Sequence, residues 1–311
     1  MKKILITGGA GYIGSILTKK MVELGYNVTV IDNLLYENLS IYDLCFYKNF
    51  NFINLDVSEI STIKGEIENS DIIIPLAALV GAPLCDRNKK LSKIVNYESI
   101  KTILKYKRSD ALLIFPTTNS GYGVAKNEEF CTELSPLYPV SHYAKLKVLA
   151  EEYVLNFENT ISLRLATVFG VSPRPRFDLL VNDFTYQSYF YGNLNLFEEN
   201  FRRNFIHIRD VCETFIFCIK NKDKMTGNIY NVGLSSANLT KKELAEKIKN
   251  HIPNLKINFI TNIKDPDKRD YLVSNKKIES LGWKPKFSLD DGITELIKSF
   301  KILKKNHFSN I

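Results

Sequence analysis

The chain has 311 residues, of which 45% are hydrophobic and 24% are charged. This is the composition of an ordinary globular protein, long enough to bury a full core. The formal net charge is +8 at pH 7, but the lysines are scattered as doublets, with no arginine-rich arm and no basic stripe interleaved with aromatic residues. This pattern argues against a nucleic-acid-binding protein and favours a solvated lysine surface that helps to attract a phosphorylated small molecule.

The cysteines and the apolar runs bear on the cellular compartment. The cysteines are dispersed, without a C-x-x-C pair or a metal-ligand cluster with histidines: Cys45, Cys85, Cys131, Cys212 and Cys218. Such a set predicts reduced thiols in a cytoplasmic protein. The apolar run Ile4 to Ile6 is too short for a signal peptide, and Ile72 to Leu84 is interrupted by Pro75, Gly81 and Pro83. We therefore expect no membrane span.

The first predicted elements are a short buried strand, a glycine-rich turn and a helix. The sequence ILITGGAGYIGS, Ile4 to Ser15, places Gly8, Gly11 and Gly14 in the spacing G-x-x-G-x-x-G, and a helix-like run continues to Leu24. The glycines allow a sharp turn, close approach of a pyrophosphate, and close packing of the helix on the sheet. The helix then directs its N-terminal amides at the phosphates. The spacing predicts a dinucleotide site; a tight turn without a ligand is the alternative.

The second predicted strand, Val28 to Ile31, ends in Asp32. A carboxylate at this position accepts hydrogen bonds from both hydroxyls of an adenosine ribose and repels a 2′-phosphate. The acid therefore favours NAD over NADP as the cofactor.

Strand and helix patterns continue to alternate along the first half of the chain. The strand-like segments are Phe52 to Leu55, Asp71 to Ala78 and Ala111 to Phe115, and Leu91 to Lys107 has helical periodicity. Uniformly apolar strands separated by helices predict an α/β fold with a doubly wound parallel (Rossmann) sheet covered on both faces. We expect a smaller C-terminal substrate-binding domain to be interlaced with it, because no linker or low-complexity segment separates the two.

Ligands of such a sheet lie beyond the carboxyl ends of its strands. Asp56 and Val57 follow the third strand and are expected to contact an adenine ring, unless Asp56 only caps the next helix. Ala77 and Ala78 end the fourth strand and leave room for a cofactor. Asn96, in the following helix, is expected either to reach the nicotinamide side or to bond to the backbone.

The residues that carry chemistry come from two segments. Thr118 follows the fifth strand, and Tyr143 and Lys147 stand four apart on a predicted helix, hence on one face. A tyrosine has an ordinary pKa of about 10 and is a poor base at neutral pH. The Lys147 ammonium and the positive ring of oxidised nicotinamide are expected to lower that pKa. Tyr143 then takes a proton from a secondary alcohol oriented by Thr118 while hydride leaves for the cofactor.

With these motifs the chain resembles the extended short-chain dehydrogenases/reductases, the NAD-dependent nucleotide-sugar epimerases and dehydratases. The resemblance covers Met1 to about Phe300 and rests on TGGAGYIG, Asp32-Asn33, Asp56-Val57, LAA at Leu76, Thr118 four before the Tyr122 of GYG, Tyr143/Lys147, RNFIHIRD (Arg203 to Asp210) and DKRDYLVSNKKIESLGWKP (Asp267 to Pro285). It implies NAD as the cofactor, a nucleotide-diphosphate sugar as the substrate, and a homodimer built on the helices Leu91 to Lys107 and Ser141 to Asn156.

Three sets of site residues follow, and no metal site is expected. The catalytic set is Thr118, Tyr143 and Lys147. The predicted cofactor-binding set is Gly8, Gly11, Tyr12, Ile13, Gly14, Asp32, Asn33, Asp56, Val57, Leu76, Ala77, Ala78, Asn96, Tyr143 and Lys147. The predicted substrate-binding set is Thr118, Asn119, Thr167, Arg174, Asn182, Arg203 and Arg269.

The arginines in the substrate set are chosen because guanidinium groups bind diphosphate oxygens bidentately. A single arginine is more typical of a surface ion pair, and the resemblance supports Arg203 and Arg269 in particular. Arg176 and Arg202 are not assigned, and His207 is interpreted as a structural histidine on an apolar strand. We predict an NAD-binding domain at residues 1–171 and about 205–226, and a substrate-binding domain at about 172–204 and 227–311.

Departures from the family pattern narrow the predicted reaction. In the family's 4,6-dehydratases an Asp-Glu pair follows the strand-end threonine, whereas Asn119 and Ser120 follow Thr118 here. Neither titrates usefully, so dehydration is disfavoured, and Ser120 is too weak an acid for 3,5-epimerisation. Ala166-Thr167 stand where many epimerases have a pair such as Phe-Asn. What remains is oxidation of a sugar hydroxyl, most often at C4.

Three functions remain as hypotheses. Segments such as PLAALVGAPLC, TTNSGYG and LRLATVFG look most like those of bacterial capsule-pathway enzymes that oxidise GDP-heptose at C4. A nucleotide-sugar 4-epimerase with a transient 4-keto intermediate is the alternative. A non-catalytic dinucleotide-binding protein stays open as a third class, although such proteins usually lose the tyrosine or the lysine.

Overall fold

In the computed structural model of the chain, residues 1–124, 129–260 and 269–303 are described. The strands are β1 (Lys3–Thr7), β2 (Asn27–Asp32), β3 (Phe50–Asn54), β4 (Ile72–Pro75), β5 (Leu112–Thr118), β6 (Phe130–Cys131), β7 (Thr160–Leu165), β8 (Thr167–Phe169), β9 (Asn193–Leu196), β10 (Arg202–His207), β11 (Asn228–Val232), β12 (Asn238–Thr240), β13 (Lys256–Phe259) and β14 (Leu272–Val273).

The α-helices are α1 (Tyr12–Glu23), α2 (Lys64–Glu68), α3 (Ala82–Arg87), α4 (Lys89–Lys93), α5 (Ser99–Tyr106), α6 (His142–Val154), α7 (Leu180–Tyr191), α8 (Ile208–Lys220), α9 (Lys222–Met225), α10 (Lys241–His251), α11 (Lys276–Glu279) and α12 (Leu289–Phe300). Short 3-10 segments lie at Tyr42–Phe46, Val57–Ile63 and Asn119–Tyr122, and Ile94–Glu98 is π-helical. The predicted helix from Leu91 to Lys107 is therefore divided into α4, the π-helical segment and α5.

Seven parallel strands form the main sheet in the order β11-β7-β5-β4-β1-β2-β3. The chain first builds outward from β1 to β3 and then returns to place β4 on the other side of β1. The order therefore reverses between β1 and β4, and in such sheets the crevice for a ligand opens at the carboxyl ends of the strands at this reversal. The prediction of a doubly wound parallel sheet is confirmed.

Alternate residues of each central strand enter the cores on the two faces of the sheet. In β1, Ile4 and Ile6 pack with apolar residues of α1 and α8, including Leu17 and Phe215. Leu5 faces the opposite core, which contains apolar residues of α5 and α6. This alternation follows from the two-residue period of a strand, and burial on both faces explains why the strands are almost uniformly apolar.

Besides the cores on the two faces of the main sheet, a further core belongs to the smaller part of the chain. It is built from α7, α10 and α12 with β9, and includes Val181, Leu194, Leu244 and Ile293. The three-stranded sheet β12-β10-β8 lies alongside, with β10 parallel to β8 and antiparallel to β12. α10 begins with a capping box, since each of Thr240 and Glu243 bonds to the other's backbone.

One predicted domain boundary is wrong. Residues 228–232, assigned from sequence to the substrate-binding domain, form β11, which pairs in parallel with β7 at the edge of the main sheet. Ile278 and Trp283 also pack in the core of that sheet. The chain thus returns to the larger unit twice after residue 227, and the other boundaries stay predictions; residues 304–311 lie outside the described residues.

All five cysteines are free thiols, and of these Cys45 is exposed. Within the described ranges, none of the helices has both the length and the apolar character needed to cross a bilayer.

Candidate active site

The glycine-rich turn connects β1 to α1 where no side chain fits. Gly8 has φ of +71°, and a Cβ on it would lie 2.5 Å from the Ala77 nitrogen. A Cβ on Gly14 would lie 2.2 Å from the Gly8 carbonyl oxygen. α1 starts after Gly11, which supplies no side-chain cap. The first amide groups of α1 therefore remain available to an anion.

A cleft of about 630 Å³ opens at the carboxyl edge of the main sheet and extends into the smaller part. It is lined by these predicted cofactor residues: Gly8, Gly11, Tyr12, Ile13, Gly14, Asp32, Asn33, Asp56, Val57, Leu76, Ala77, Ala78, Tyr143 and Lys147. Such a volume is within the range of ligand sites. Residues separated by more than a hundred positions in sequence thus share one wall.

Asp32 is held by the turn it faces. Its Oδ2 accepts a hydrogen bond from the Ala10 nitrogen at 2.9 Å, and its Oδ1 accepts one from the Leu34 nitrogen at 2.9 Å. Burial raises the pKa of this carboxyl group above its ordinary value, and the two backbone bonds oppose that shift. Each carboxylate oxygen retains acceptor capacity, so the group fits a ribose diol.

Asp56 caps the following helix, as one of the two interpretations made from the sequence has it, and its contact with an adenine ring stays a prediction. Its Oδ1 accepts a hydrogen bond from the Ser58 nitrogen at 2.8 Å and so caps the following 3-10 helix. Its Oδ2 accepts one from Asn33 Nδ2 at 2.6 Å, which fixes a second residue of the cleft wall. Asp56 and Asn33 both line the cleft.

Asn96 follows the second of its two predicted alternatives, a bond to the backbone, which corrects its assignment to the cofactor-binding set. Its Oδ1 accepts a hydrogen bond from the Leu79 nitrogen at 2.9 Å and its Nδ2 donates one to the Leu79 oxygen at 2.9 Å. The side chain is buried and does not line the cleft. Asn96 therefore supports the loop of Ala77 and Ala78 and does not contact the cofactor directly.

Thr118, Tyr143 and Lys147 meet at the cleft, as their spacing predicts. Thr118 ends β5, and the other two lie one turn apart on α6. The Lys147 Nζ lies 4.2 Å from the centre of the Phe115 ring. Burial lowers the pKa of Lys147 to about 7, although Glu151 one turn further along α6 opposes this. Burial, which removes the ammonium group from water, is what disfavours the charged form of this lysine.

The expected lowering of the Tyr143 pKa does not come from the protein's own residues. Burial raises the pKa of Tyr143 to about 12, and the nearby Cys85 adds to this, while Arg176 and Arg269 act in the opposite direction. In the polypeptide alone, burial disfavours the phenolate more than the nearby cations favour it. The predicted lowering of the Tyr143 pKa by Lys147 together with the positive nicotinamide ring stays a prediction for the enzyme with NAD bound.

A chain of hydroxyl groups continues from Thr118. Its Oγ1 donates a hydrogen bond to Ser120 Oγ at 2.9 Å and accepts one from the Ser120 nitrogen at 3.1 Å. Arg269 Nη1 also donates to Ser120 Oγ. Since the Thr118 proton is directed at Ser120, the second lone pair of Thr118 can accept a hydrogen bond from a substrate hydroxyl.

Asn119 corrects another prediction. Its side chain is 1% exposed and does not line the cleft. Among the described residues and their hydrogen bonds, neither of its amide atoms has a partner. The side chain that follows Thr118 is therefore buried and not part of the cleft lining.

The arginines occupy different parts of the cleft. Arg203 and Arg269 line it together with Tyr271, and the Arg203 guanidinium lies 5.9 Å from the Tyr271 ring centre. Arg174 also lines it, but stacks on Tyr36 on the side of Asp32. Of the predicted motif that contains Arg269, residues 267 and 268 lie outside the described residues.

The two arginines left unassigned are paired with acids. Arg176 donates to both carboxylate oxygens of Asp178, and both residues line the cleft. Arg202 Nε and Nη2 donate to Asp270 at 2.9 and 3.2 Å. The Arg202 pair connects β10 to the segment that carries Arg269.

The chain matches the description "NAD dependent epimerase/dehydratase family" over residues 4–233. It belongs to this family. A dTDP-D-glucose 4,6-dehydratase of Mus musculus is 26% identical over 332 residues, covering 96% of this chain and 89% of the relative. The structure of Pal from Bacillus thuringiensis is 25% identical with a TM-score of 0.86, covering 97% of this chain and 100% of that one. The UDP-glucose 4-epimerase of Thermotoga maritima has the same fold, with a TM-score of 0.82 at 23% identity over 96% and 99% of the two chains.

As a member of the NAD-dependent epimerase/dehydratase family, the chain is an enzyme whose cofactor is NAD. The residues present fit this group. The uncapped amide groups at the start of α1 suit a diphosphate, and the glycines leave the space that a Cβ would fill. Asp32, held by two backbone bonds, suits an unphosphorylated ribose.

Thr167 and Asn182 are both predicted to bind the substrate, and only one of them lines the cleft. Thr167 lines the cleft, as expected. Asn182 does not: it is buried, its Oδ1 accepts a hydrogen bond from the Gly170 nitrogen at 3.0 Å, and its Nδ2 donates to the Arg176 oxygen at 2.8 Å. Asn182 therefore fixes the segment between β8 and α7 and supports the cleft from behind.

Lys241 is a cleft residue that the sequence analysis missed. It is 4% exposed, its Nζ donates a hydrogen bond to the Phe197 oxygen at 3.0 Å, and it lies 4.5 Å from the Phe197 ring centre. Both line the cleft on the side of the smaller part. The adjoining capping box predicts the helix start, and no local signal reports that this lysine faces inward.

A buried ion pair positions α6. The Glu151 carboxylate accepts hydrogen bonds from Arg164 Nη2 at 2.7 Å and from Ser162 Oγ at 3.1 Å, both on β7. Glu151 follows Tyr143 and Lys147 at a spacing of four on the same helix face. The pair therefore fixes the helix that carries Tyr143 and Lys147.

His207 is a structural histidine, as predicted. Its Nε2 lies 2.7 Å from Glu295 Oε2, and its Nδ1 accepts a hydrogen bond from the Arg209 nitrogen at 3.3 Å. The ring packs between Phe169 and Phe287 and does not line the cleft.

Proposed function

We propose that this enzyme oxidises the C4 hydroxyl of a nucleotide-diphosphate sugar, a GDP-heptose-type sugar being favoured, in bacterial surface-polysaccharide biosynthesis. The observation that carries the proposal is the set of hydrogen bonds around Ser120, which orients the Thr118 hydroxyl as an acceptor in the cleft that Tyr143 also lines. With Thr118 as hydrogen-bond acceptor and Tyr143 as base at the same substrate hydroxyl group, the site is suited to remove the proton of that group.

Within this proposal each residue has one task. Thr118 accepts a hydrogen bond from the sugar hydroxyl and fixes its direction. Tyr143, as phenolate, takes the proton, and Lys147 stabilises the phenolate and holds the cofactor ribose. Bound NAD supplies the hydride acceptor and a positive ring that offsets the raised pKa of Tyr143.

Two observations argue against dehydration as the net reaction, although a relative is named for it. Elimination of water needs an acid and a base near the sugar, and Asn119 is buried behind the cleft wall. Ser120 lines the cleft, but its hydroxyl oxygen already accepts two hydrogen bonds. Neither side chain supplies a titratable group.

A nucleotide-diphosphate sugar is supported by the charge of the cleft. Arg203, Arg269 and Lys241 line it beyond the catalytic residues, where guanidinium and ammonium groups suit a diphosphate and a base. The preference for a GDP-heptose-type sugar and for a role in capsule synthesis rests on sequence similarity to the capsule-pathway enzymes.

The alternative is a nucleotide-sugar 4-epimerase, in which the keto sugar is reduced again on its other face. The observation that favours it is the fold shared with the UDP-glucose 4-epimerase of Thermotoga maritima. The two functions use the same three catalytic residues and differ in whether the oxidised sugar is released.

One experiment separates these functions. Purified enzyme is incubated with GDP- and UDP-sugars while NADH absorbance is followed, and the products are identified by NMR. Net NADH or a released 4-keto sugar supports the dehydrogenase, whereas a sugar inverted at C4 without net redox identifies the epimerase. The Tyr143→Phe variant is the control, and full turnover by it would contradict the proposed mechanism.

We also propose a homodimer formed through α5 and α6. The support is the surface of α6, where Leu149 is exposed, and the stacking of Lys101 from α5 within 5.7 Å of the Tyr153 ring centre of α6. The two helices thus form one continuous face. Light scattering of the purified enzyme measures its mass, and a monomer with undiminished activity contradicts this assignment.

A further inference from the structure

Arg174 and Tyr36 meet across the cleft from two distant segments. The Arg174 guanidinium lies 3.9 Å from the centre of the Tyr36 ring, which is a stacked cation–π contact. Arg174 is 5% exposed, while Tyr36 is 37% exposed, and both line the cleft. Tyr36 follows β2, and Arg174 follows β8 in the segment that leads to the smaller part.

The segment before Arg174 is fastened to the first turn of α1. Ser172 Oγ donates a hydrogen bond to the Tyr12 carbonyl oxygen at 2.7 Å and lies 3.0 Å from Ser15 Oγ. Tyr12 OH donates to the Gly170 oxygen at 2.7 Å, and the Arg174 nitrogen donates to Ser172 Oγ at 3.3 Å. These contacts hold Arg174 close to the helix end whose amide groups face the cleft.

The segment that carries Tyr36 is fastened independently to the glycine-rich turn. Ser40 Oγ donates a hydrogen bond to the Ala10 oxygen at 2.7 Å, and the Leu34 nitrogen donates to Asp32 Oδ1 at 2.9 Å. Leu34 and Glu37, on either side of Tyr36, have φ of +50° and +45°. Non-glycine residues adopt this left-handed conformation when their surroundings hold them there.

We propose that Arg174 and Tyr36 form a clasp over the ADP half of bound NAD, with the Arg174 guanidinium on the pyrophosphate. In a doubly wound sheet the pyrophosphate lies at the start of the first helix and the adenosine ribose lies at the acid that ends the second strand. The contacts through Ser172 place Arg174 at the first of these positions, and Asp32 marks the second.

The charges around Arg174 agree with an anionic ligand. Burial and the nearby Arg176 lower the pKa of Arg174, while Tyr36, Asp178 and Asp32 oppose this. Its Nη1 donates to the adjacent Pro175 oxygen at 3.2 Å. A buried guanidinium beside a second cation gains most from a diphosphate, which accepts its planar fork of donors.

The clasp has two consequences. Arg174 leaves the predicted substrate set and becomes a cofactor residue, so that Arg203 and Arg269 remain for the substrate. The contact between Arg174 and Tyr36 must also break before NAD leaves, so NAD dissociates slowly. This inference depends on NAD as the cofactor and is independent of which reaction the enzyme catalyses.

Binding of defined ligands to the enzyme freed of NAD tests the clasp. The variants are Arg174→Leu, Tyr36→Leu and the matched control Arg209→Gln, which removes an exposed arginine outside the cleft. Calorimetry with NAD, ADP-ribose, GDP and UDP measures each affinity. Competition against a fluorescent etheno-NAD measures the rate of dissociation.

For Arg174→Leu we expect about tenfold or greater weakening of both NAD and ADP-ribose, the loss of one charge-assisted contact, with a matching rise in the dissociation rate. GDP and UDP affinities and the control stay unchanged. Tyr36→Leu, at a half-exposed position that does not threaten folding, shifts in the same direction by a smaller factor.

Two results overturn the proposal. One is unchanged NAD affinity and dissociation in Arg174→Leu together with weaker GDP or UDP binding, which places Arg174 in the substrate site. The other is an equal loss for all four ligands in Tyr36→Leu, which indicates a general structural effect. Thermal melts of each variant accompany the binding data.

Discussion

Thr118 Oγ1 lies 2.9 Å from Ser120 Oγ and donates its proton to it, while Arg269 donates to the same Ser120 oxygen. The Thr118 hydroxyl is thus oriented by a residue that follows it at the end of β5 and by an arginine 149 positions after Ser120. This arrangement converts Thr118 from a rotating hydroxyl into a directed acceptor.

The Ser120→Ala variant tests this orientation. Without the Ser120 oxygen the Thr118 proton has no acceptor, so its hydroxyl rotates and competes with the substrate. We expect kcat to fall about tenfold, equivalent to about 1.4 kcal/mol, with a smaller change in KM. Steady-state kinetics measure both constants. Asn119→Ala is the control, since its buried amide has no partner in the described part of the chain, and an equal loss of kcat in both variants would refute the assignment.

Removal of the Asn96 side chain is expected to lower stability. Asn96→Ala leaves the Leu79 nitrogen without its buried acceptor and the Leu79 oxygen with only the Cys85 thiol as a donor, at a cost of about 1–3 kcal/mol for such groups. Urea unfolding measures the free energy, and NAD titration detects the displaced loop. Asn96→Asp keeps the acceptor but not the donor, so its free energy of unfolding should lie between those of the wild type and Asn96→Ala. Wild-type stability of Asn96→Ala would contradict the support role.

Lys147 should give stability a defined pH dependence. Its pKa is about 7 in the folded protein against an ordinary 10.5, so the unfolded chain binds more protons between these values. The contribution of Lys147 to the free energy of unfolding is therefore least favourable below pH 7, rises with pH through this window by up to about 1.4 kcal/mol per pH unit, and levels off above it.

The Lys147→Met variant, studied without NAD, checks this sign. It should gain most over the wild type at about pH 6, and the gain should shrink as the pH rises to about 10. Urea unfolding at several pH values measures the difference. Lys145→Met, an exposed position on the same helix, serves as the control. A difference between wild type and Lys147→Met that does not vary with pH would be incompatible with a buried, weakly basic lysine.

Lys241 is expected to act on the nucleotide of the substrate. In Lys241→Met the buried ammonium on Phe197 is lost, and we expect affinity for GDP or UDP to fall about tenfold while NAD binding stays unchanged. Calorimetry measures both. Lys242→Met removes an exposed lysine next to it and should bind all three ligands normally. Weaker NAD binding in Lys241→Met would place this lysine at the cofactor instead.

Much of the cofactor site could be predicted because its signals are local. The turn requires glycine at Gly8 and Gly14 for reasons of space, and a parallel sheet brings the ends of its strands to one edge. The spacing of Tyr143 and Lys147 places them on one helix face whatever surrounds the helix. These features depend on backbone geometry, which a few neighbouring residues determine.

The other features of the site could not be predicted, because they depend on the direction in which individual side chains point. Three asparagines are next to cleft residues in sequence but do not line the cleft. The amides of Asn96 and Asn182 bond to the backbone, and the amide of Asn119 is buried without a partner in the described part of the chain. Arg174 is of a residue type that suits a substrate diphosphate, and its guanidinium stacks on Tyr36 in the wall of the cleft that Asp32 also lines. A neighbour in sequence carries no information on these directions.

The sequence by itself determined the parallel sheet, the glycine-rich turn and the placement of Tyr143 and Lys147 on one helix face, since apolar periodicity and residue spacing are properties of short segments. Only the tertiary structure decided that β11 completes the main sheet, that burial raises the pKa of Tyr143, and that Ser120 and Lys241 belong to the cleft. These features depend on desolvation and on contacts between segments far apart in the chain. Both arise only when the chain folds and its apolar cores pack.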